Sequence, residues 1–260
     1  MKKYFFMLFV VVLMAATSVY GTQKSEVVRT VQPFSLLNVV GDLEVVYEQS
    51  NTCEVVLVGD ANDINKVLIH NDGSVLSLSK SAKKIGNVYI NTIDKSEKLN
   101  VVIKVKAPDV TDFNLAGSGH IIVDHMSSKN ARFNLAGSGR LVLGRIVADN
   151  AVFNNAGSGS IRVDDVKADN VNLSTAGSGE LVAKVGRAEK LSCVLTGSGK
   201  IYVSGKTGKY EKMFAGSGNI DDSMLKYDST NTTSTRTVVV TDNKISSSPK
   251  SPNDIINARP

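Results

Sequence analysis

Phe113-Asn-Leu-Ala-Gly-Ser-Gly-His-Ile-Ile-Val123 returns twenty residues later as Phe133-Asn-Leu-Ala-Gly-Ser-Gly-Arg-Leu-Val-Leu143, and again as Phe153-Asn-Asn-Ala-Gly-Ser-Gly-Ser-Ile-Arg-Val163. The Gly-Ser-Gly triplet stands at 117–119, 137–139, 157–159, 177–179, 197–199 and 216–218, so four intervals are twenty residues and the last is nineteen. A fixed period of this length marks a solenoid, whose units bury their apolar side only by stacking on a neighbour. Aligned on the triplet, one column reads Phe113, Phe133, Phe153, Leu173, Cys193. Two residues past the triplet stand Ile121, Leu141, Ile161, Leu181, Ile201 and Ile220, and two further on Val123, Leu143, Val163, Ala183 and Val203. Ala131, Ala151, Val171 and Leu191 form a third apolar column.

Within a unit, apolar and polar residues alternate, which is the period of a strand with one face buried. A glycine pair near the start of every unit breaks any helical pattern, and no ten-residue helix fits between successive strands. The class is therefore all-β. The layout that remains is a parallel β-helix, one turn per twenty residues, rising ~4.8 Å per turn. Its hand is expected to be right, as for parallel crossovers. The corner of each turn falls on Gly117 and Gly119, Gly137 and Gly139, Gly157 and Gly159, Gly177 and Gly179, Gly197 and Gly199, and Gly216 and Gly218. Glycine alone reaches positive φ there without steric cost.

Four regions follow along the chain. Met1–Gly21 reads as a secretory signal: Lys2 and Lys3, then the apolar run Phe5 to Ala16, then small residues through Gly21. That run is shorter than the ~20 residues that span a bilayer, so the mature chain is expected to carry no transmembrane segment. No cysteine stands at the cleavage point, so export to the periplasm or cell surface without a lipid anchor is expected. Residues 27–110 form a less regular N-terminal β region that caps or begins the coil. In it, Val39-Val-Gly-Asp-Leu-Glu-Val45 echoes the corner, and Asn71-Asp-Gly-Ser74 reads as a hairpin turn. Leu99 to Lys106 alternates up to Ala107-Pro108. Residues 111–221 are the repeat. From 222 to 260 the pattern decays through a Ser/Thr/Asn-rich stretch, with one strand expected at Thr237–Thr241 and a disordered tail from Ser246.

The chemical inventory is sparse. Without Lys2 and Lys3 the chain has 28 basic residues against 25 acidic, too balanced for a nucleic-acid partner. Cys53 and Cys193 are expected as buried free thiols, and His70, His120 and His125 lack metal-ligand spacing. No metal and no cofactor are expected. Each Gly-Ser-Gly has one residue between its glycines, so it is not a nucleophile elbow. Asp124, Asp164 and Asp165 are the nearest approach to a carboxylate pair for sugar chemistry, but Gly144 separates Asp124 from Asp164 by two turns. The expectation is a non-enzyme. The columns Asn114, Asn134, Asn154 and Asn130, Asn150, Asn170 suit amide ladders running up the coil. Asp149, Asp169 and Glu189, beside Lys129 and Lys209, suit a solvated face rather than a calcium strip.

With Phe34-Ser-Leu36, Gly41-Asp-Leu-Glu-Val45, the strand to Ala107-Pro108 and the Ala/Thr-Gly-Ser-Gly corners in hand, the chain resembles the head GIN domain family of autotransporter-type adhesins from Bacteroidetes, DUF2807. The likeness spans about residues 30 to 221. It implies an exported β-helical protein of adhesin type and supplies no catalytic motif. No β-barrel of ten-residue amphipathic strands follows the repeat within these residues. Outward Arg140, Arg162, Lys200 and Tyr202 are the candidate contacts for a glycan or other surface polymer. A structural scaffold that forms homo-oligomers is the second expectation.

Overall fold

The computed structural model describes residues 24–80, 83–85, 88–90, 98–227 and 232–237. The leader through Gly21, residues 238–241 of the expected last strand, and the tail from Ser246 lie outside them. The N-terminal part carries β1 (Ser25–Thr30), β2 (Leu36–Gly41), β3 (Glu44–Gln49), β4 (Glu54–Gly59) and the one-turn helix α1 (Ala61–Ile64). Then come β5 (Val67–Asn71), β6 (Val75–Lys80), β7 (Lys83–Ile85), β8 (Val88–Ile90), β9 (Val101–Ala107) and β10 (Asp112–Gly117). The repeats form β11 (His120–Gly137), β12 (Arg140–Gly157), β13 (Ser160–Gly177), β14 (Glu180–Gly197) and β15 (Lys200–Ala215). They are followed by β16 (Asn219–Lys226) and β17 (Thr232–Thr237).

The repeats stack as a parallel β-solenoid in the register the columns imply: Ile121 on Leu141, Phe133 on Phe153, Gly137 on Gly157. In β11 the alternation slips twice, at Asp124-His125 and at Lys129-Asn130, where two exposed residues follow each other. Each slip is a bend. With the Gly-Ser-Gly corner there are three bends per turn, and so three flat faces: residues 120–124, 125–129 and 130–136, repeated turn by turn. The second face contributes an inward column that the sequence columns above omit, Met126, Ile146, Val166 and Val185, all 0% exposed.

Inside the coil, Phe113, Phe133 and Phe153 stack with centroids 4.9 and 5.4 Å apart, and Tyr47 closes the stack edge-on at 4.9 Å. The Tyr47 hydroxyl donates to the Ala107 carbonyl at 2.8 Å, and burial pushes its pKa up to about 12. Outside, the amide ladders are formed. Asn114 Nδ2 donates to Asn38 Oδ1 at 2.9 Å, Asn134 to Asn114 at 2.7 Å and Asn154 to Asn134 at 2.8 Å. Asn150 and Asn170 continue the other ladder from Asn130 at 3.1 and 3.0 Å.

The echo at Val39–Val45 is a true first turn. β2 lies under β10 with Gly41 beneath Gly117, and β3 lies under β11 with Val45 beneath Ile121. Below it, β6 and β9 continue the parallel stack under β2 and β3. The pattern then changes sense: β5 runs antiparallel to β6, β4 to β9, and β1 to β4. On the second face, the Gln49 amide donates to Ser127 O and accepts from Ser127 N, both at 2.8 Å, in place of a further strand.

At the other end the coil continues past Ile220. β16 pairs with β15 on the first face and β17 on the third. A strand thus stands at Thr232–Thr237, within the Ser/Thr/Asn-rich stretch, because the edge of β15 from Tyr210 to Ala215 templates a polar, threonine-rich segment. Lys212 falls in register with buried Cys193, where other turns have Phe or Leu. Its ammonium donates to Ile220 O and Asp222 Oδ2, both at 3.0 Å, fastening the last turn together.

The first corner glycines have φ between 109° and 130°. The carbonyls of Gly117, Gly137, Gly157 and Gly177 each accept two N–H groups from the turn above: Gly137 O takes Ser158 N at 3.0 Å and Gly159 N at 2.9 Å. A Cβ on Gly157 would lie 2.5 Å from Gly137 O, so Gly157→Ala combines backbone strain with a backbone clash. It is expected to cost about 3 kcal/mol in urea unfolding, whereas Ser158→Ala, on an exposed side chain, stays within about 0.5 kcal/mol. In the β5–β6 hairpin, Asp72 accepts from Val75 N, Ser74 N and the Ser74 hydroxyl, which hold its carboxyl at about 2. Because the folded value is depressed, its support of the hairpin is present above the unfolded value of about 4 and lost as pH falls through 2. Amide exchange at Ser74 and Val75 should therefore accelerate over that window, after correction for intrinsic rates.

Candidate functional site

A regular solenoid face is flat, so a concavity needs an irregularity. One occurs between β15 and β16, where Tyr202 pairs with Asp221 but Ser204 pairs with Met224, leaving one extra residue in β16. This is a β-bulge, which breaks the alternation and bends its strand. Asp221 Oδ1 pins it by accepting from the Ser223 hydroxyl at 2.7 Å and the Ser223 N–H at 3.1 Å, and those bonds hold the Asp221 carboxyl below the usual range. Ser223 and Met224, the latter 76% exposed, stand as a wall beside the first face.

Against that wall lies a groove of about 310 Å³. Outward Val182 and Tyr202, both half-buried, line it together with Val163, Ala183, Val203 and Ser204. Arg162, Asp164 and Lys184 line the side away from the bulge. Arg162 Nε donates to Asp164 Oδ1 at 2.9 Å. Both partners are exposed, so the pair orients the guanidinium while adding little to stability.

Of the four candidate contacts, the structure brings Arg162 and Tyr202 to the groove, two turns apart in one outward column. Arg140 and Lys200 share the same face but stand in the neighbouring column and do not line the groove. Arg140 Nε instead donates to Ser160 Oγ at 3.3 Å. Sequence reasoning missed Lys184, Asp221, Ser223 and Met224. The one available signal was that Asp221-Asp-Ser-Met224 departs from the alternation that holds through Ile201 to Val203.

The three aspartates do not form a catalytic constellation. Asp164 and Asp165 fall on either side of a bend, one held by Arg162 and the other by Arg145 at 3.4 Å. Asp124 is two turns below Asp164, with Gly144 between them. His120 and His125 are both exposed, and a bend separates them. Among the described residues, no three His, Cys, Asp or Glu side chains converge on a point. Both thiols are free. Cys193 is buried, with its pKa pushed up to about 12 by that burial, while Cys53 is half-buried rather than buried. Among the described residues no helix is long and apolar enough to cross a membrane.

The family model described as "Putative auto-transporter adhesin, head GIN domain" matches residues 33–164 and 151–237. Three solved structures share the fold. One, described as a putative lipid binding protein from Parabacteroides distasonis, is 21% identical, with TM-score 0.58 over 82% of this chain and 96% of its own. A putative adhesin from Parabacteroides merdae is 17% identical, with TM-score 0.62 over 83% and 92%. Another from Parabacteroides distasonis is 17% identical, with TM-score 0.65 over 83% and 93%. No curated protein matches the sequence.

Proposed function

The chain belongs to the head GIN domain family of auto-transporter-type adhesins, and from that premise we propose that it is an exported, non-catalytic binding protein of the cell surface. Its ligand is a glycan or a similar surface polymer, held where the bulged β16 meets the first face. The observation that carries this reading is the groove itself, where a flat coil acquires depth, lined by Tyr202 and by Arg162, Asp164 and Lys184.

The chemistry suits a hydroxyl-rich chain. A half-exposed phenol ring offers an apolar platform to the C–H face of a sugar, and its hydroxyl offers a hydrogen bond. The Arg162–Asp164 pair presents donors and an acceptor in fixed geometry beside it, and Ser223 and Asp221 do so on the far wall. A volume of about 310 Å³ lies at the small end of ligand sites. It fits a short stretch of a polymer that continues along the face rather than an enclosed small molecule. A second reading, an amphiphile, is favoured by Met224 in the wall and by the solved relative described as lipid binding.

The test is a binding panel of purified host and microbial polysaccharides, with phospholipid vesicles alongside. Arg162→Ala with Tyr202→Ala should weaken binding of the polysaccharide found by at least about tenfold, the scale of a lost anchor pair. Arg140→Ala, outside the groove, should change it little. Binding that ignores the double variant removes the groove from consideration, and binding to vesicles alone selects the amphiphile.

A further inference from the structure

The first face carries an apolar stripe along the coil. Val46, Ile122, Val142, Val182 and Tyr202 fall in one outward column, and all are half-buried, with exposed Arg162 interrupting the column between Val142 and Val182. Charged residues flank it. Glu44, His120, Glu180 and Lys200 stand in the column before the stripe, Asp124 and Lys184 in the column after. All six are exposed, and none makes a side-chain hydrogen bond or ion pair with a described residue. Elsewhere on the coil some charges are matched within the chain, Arg132 with Asp112, Arg145 with Asp165, Lys190 and Lys209 with Glu211, while exposed Lys129, Asp149, Lys167, Asp169, Arg187 and Glu189 form no ion pair with a described residue.

We propose that this face is a self-association surface, on which two copies pack about a two-fold axis parallel to the strands and passing between the turns of β12 and β13. Such a rotation keeps strand direction and reverses the order of the turns. Every pairing it generates is then compatible. Glu44 faces the second copy's Lys200, His120 its Glu180, and Asp124 its Lys184. In the central column Lys104, one turn below Val46 and exposed, faces Asp221. Between these, Val46 meets Tyr202, Ile122 meets Val182, and Val142 meets the stem of Arg162. No like charges are opposed.

The other two-fold that brings the faces together runs along the coil axis, and it fails on the same residues. It sets Lys104 against Lys104, Arg162 against Arg162 and Glu44 against Glu48. Like-charge contacts of this kind select against an arrangement. The face from β9 to β16 spans seven turn spacings and five residues, roughly 34 Å by 16 Å. That is about 540 Å² in projection, below the ~800 Å² per partner of a standard stable interface, so the dimer is a reversible one. Arg162, Lys184, Tyr202 and Asp221 also belong to the groove, so a second copy and a groove ligand exclude each other.

Sedimentation equilibrium of the exported chain without its leader should show a monomer–dimer equilibrium across the micromolar to millimolar range. Asp124→Lys and Lys184→Glu should each weaken it by about tenfold, because each variant opposes like charges twice per dimer. The combined swap should restore wild-type association, since the pair is regenerated in reverse. Ile122→Glu, which charges the stripe, should abolish it. Both swapped positions are exposed, so far-ultraviolet circular dichroism should be unchanged. A monomer at every concentration, a dimer indifferent to the single variants, or a swap that stays weak overturns the proposal.

Discussion

From Gly41 to Gly177, one glycine carbonyl at each corner accepts two N–H groups from the turn above, and the rest of the architecture depends on how close that brings two backbones. The second glycine leaves no room for a side chain: a Cβ on Gly139 would lie 2.6 Å from Gly119 O and 2.9 Å from a Leu115 methyl. The approach fixes the register, because only a glycine in the upper turn leaves room for it. Register in turn puts Phe on Phe, Asn on Asn and Ile on Leu, so that burial, stacking and amide ladders all favour one alignment. A slip by one residue would turn every apolar side chain outward. Agreement among these levels is what gives a repeat sequence a single native stack.

That logic explains what was legible. Six copies of one corner, with apolar residues at fixed offsets, left little choice of fold, and the Asn columns could be placed on ladders before any coordinates. Gly41-Asp42 also showed through, although its turn lacks the second glycine and has Leu43 there. Less legible were features that depend on pairing with a template rather than on local pattern. β17 is threonine-rich and would pass for a loop, yet it adds to the waiting edge of β15. Lys212 in the place of a core phenylalanine makes sense only once Asp222 and the Ile220 carbonyl are seen beside it. The bulge at Asp221–Met224 is a one-residue insertion in a segment where the repeat had already faded, and the groove exists because of it.

Function follows from the same contrast between regular and irregular. The Asn ladders look like a polar strip for a ligand, but their amides already bond to one another, and breaking each such bond costs about 1 kcal/mol. The ladders are therefore occupied by structure. Arg162 and Tyr202 were named from the sequence as outward candidates together with Arg140 and Lys200, which do not reach the groove. What distinguishes the two pairs is their offset from the bulge, which no periodicity reports. The first face thus carries the groove and the apolar column, while both amide ladders lie on the third.

The central claim is that this coil works outside the cell as a binding surface, and exposure on intact host cells tests it most directly. Cells would be treated with a membrane-impermeant lysine label, with a periplasmic protein as control, and the labelled chain quantified. The account predicts labelling of the chain on intact cells while the periplasmic control stays unlabelled. Protection of the chain until the outer membrane is broken would contradict it and confine the protein to the periplasm.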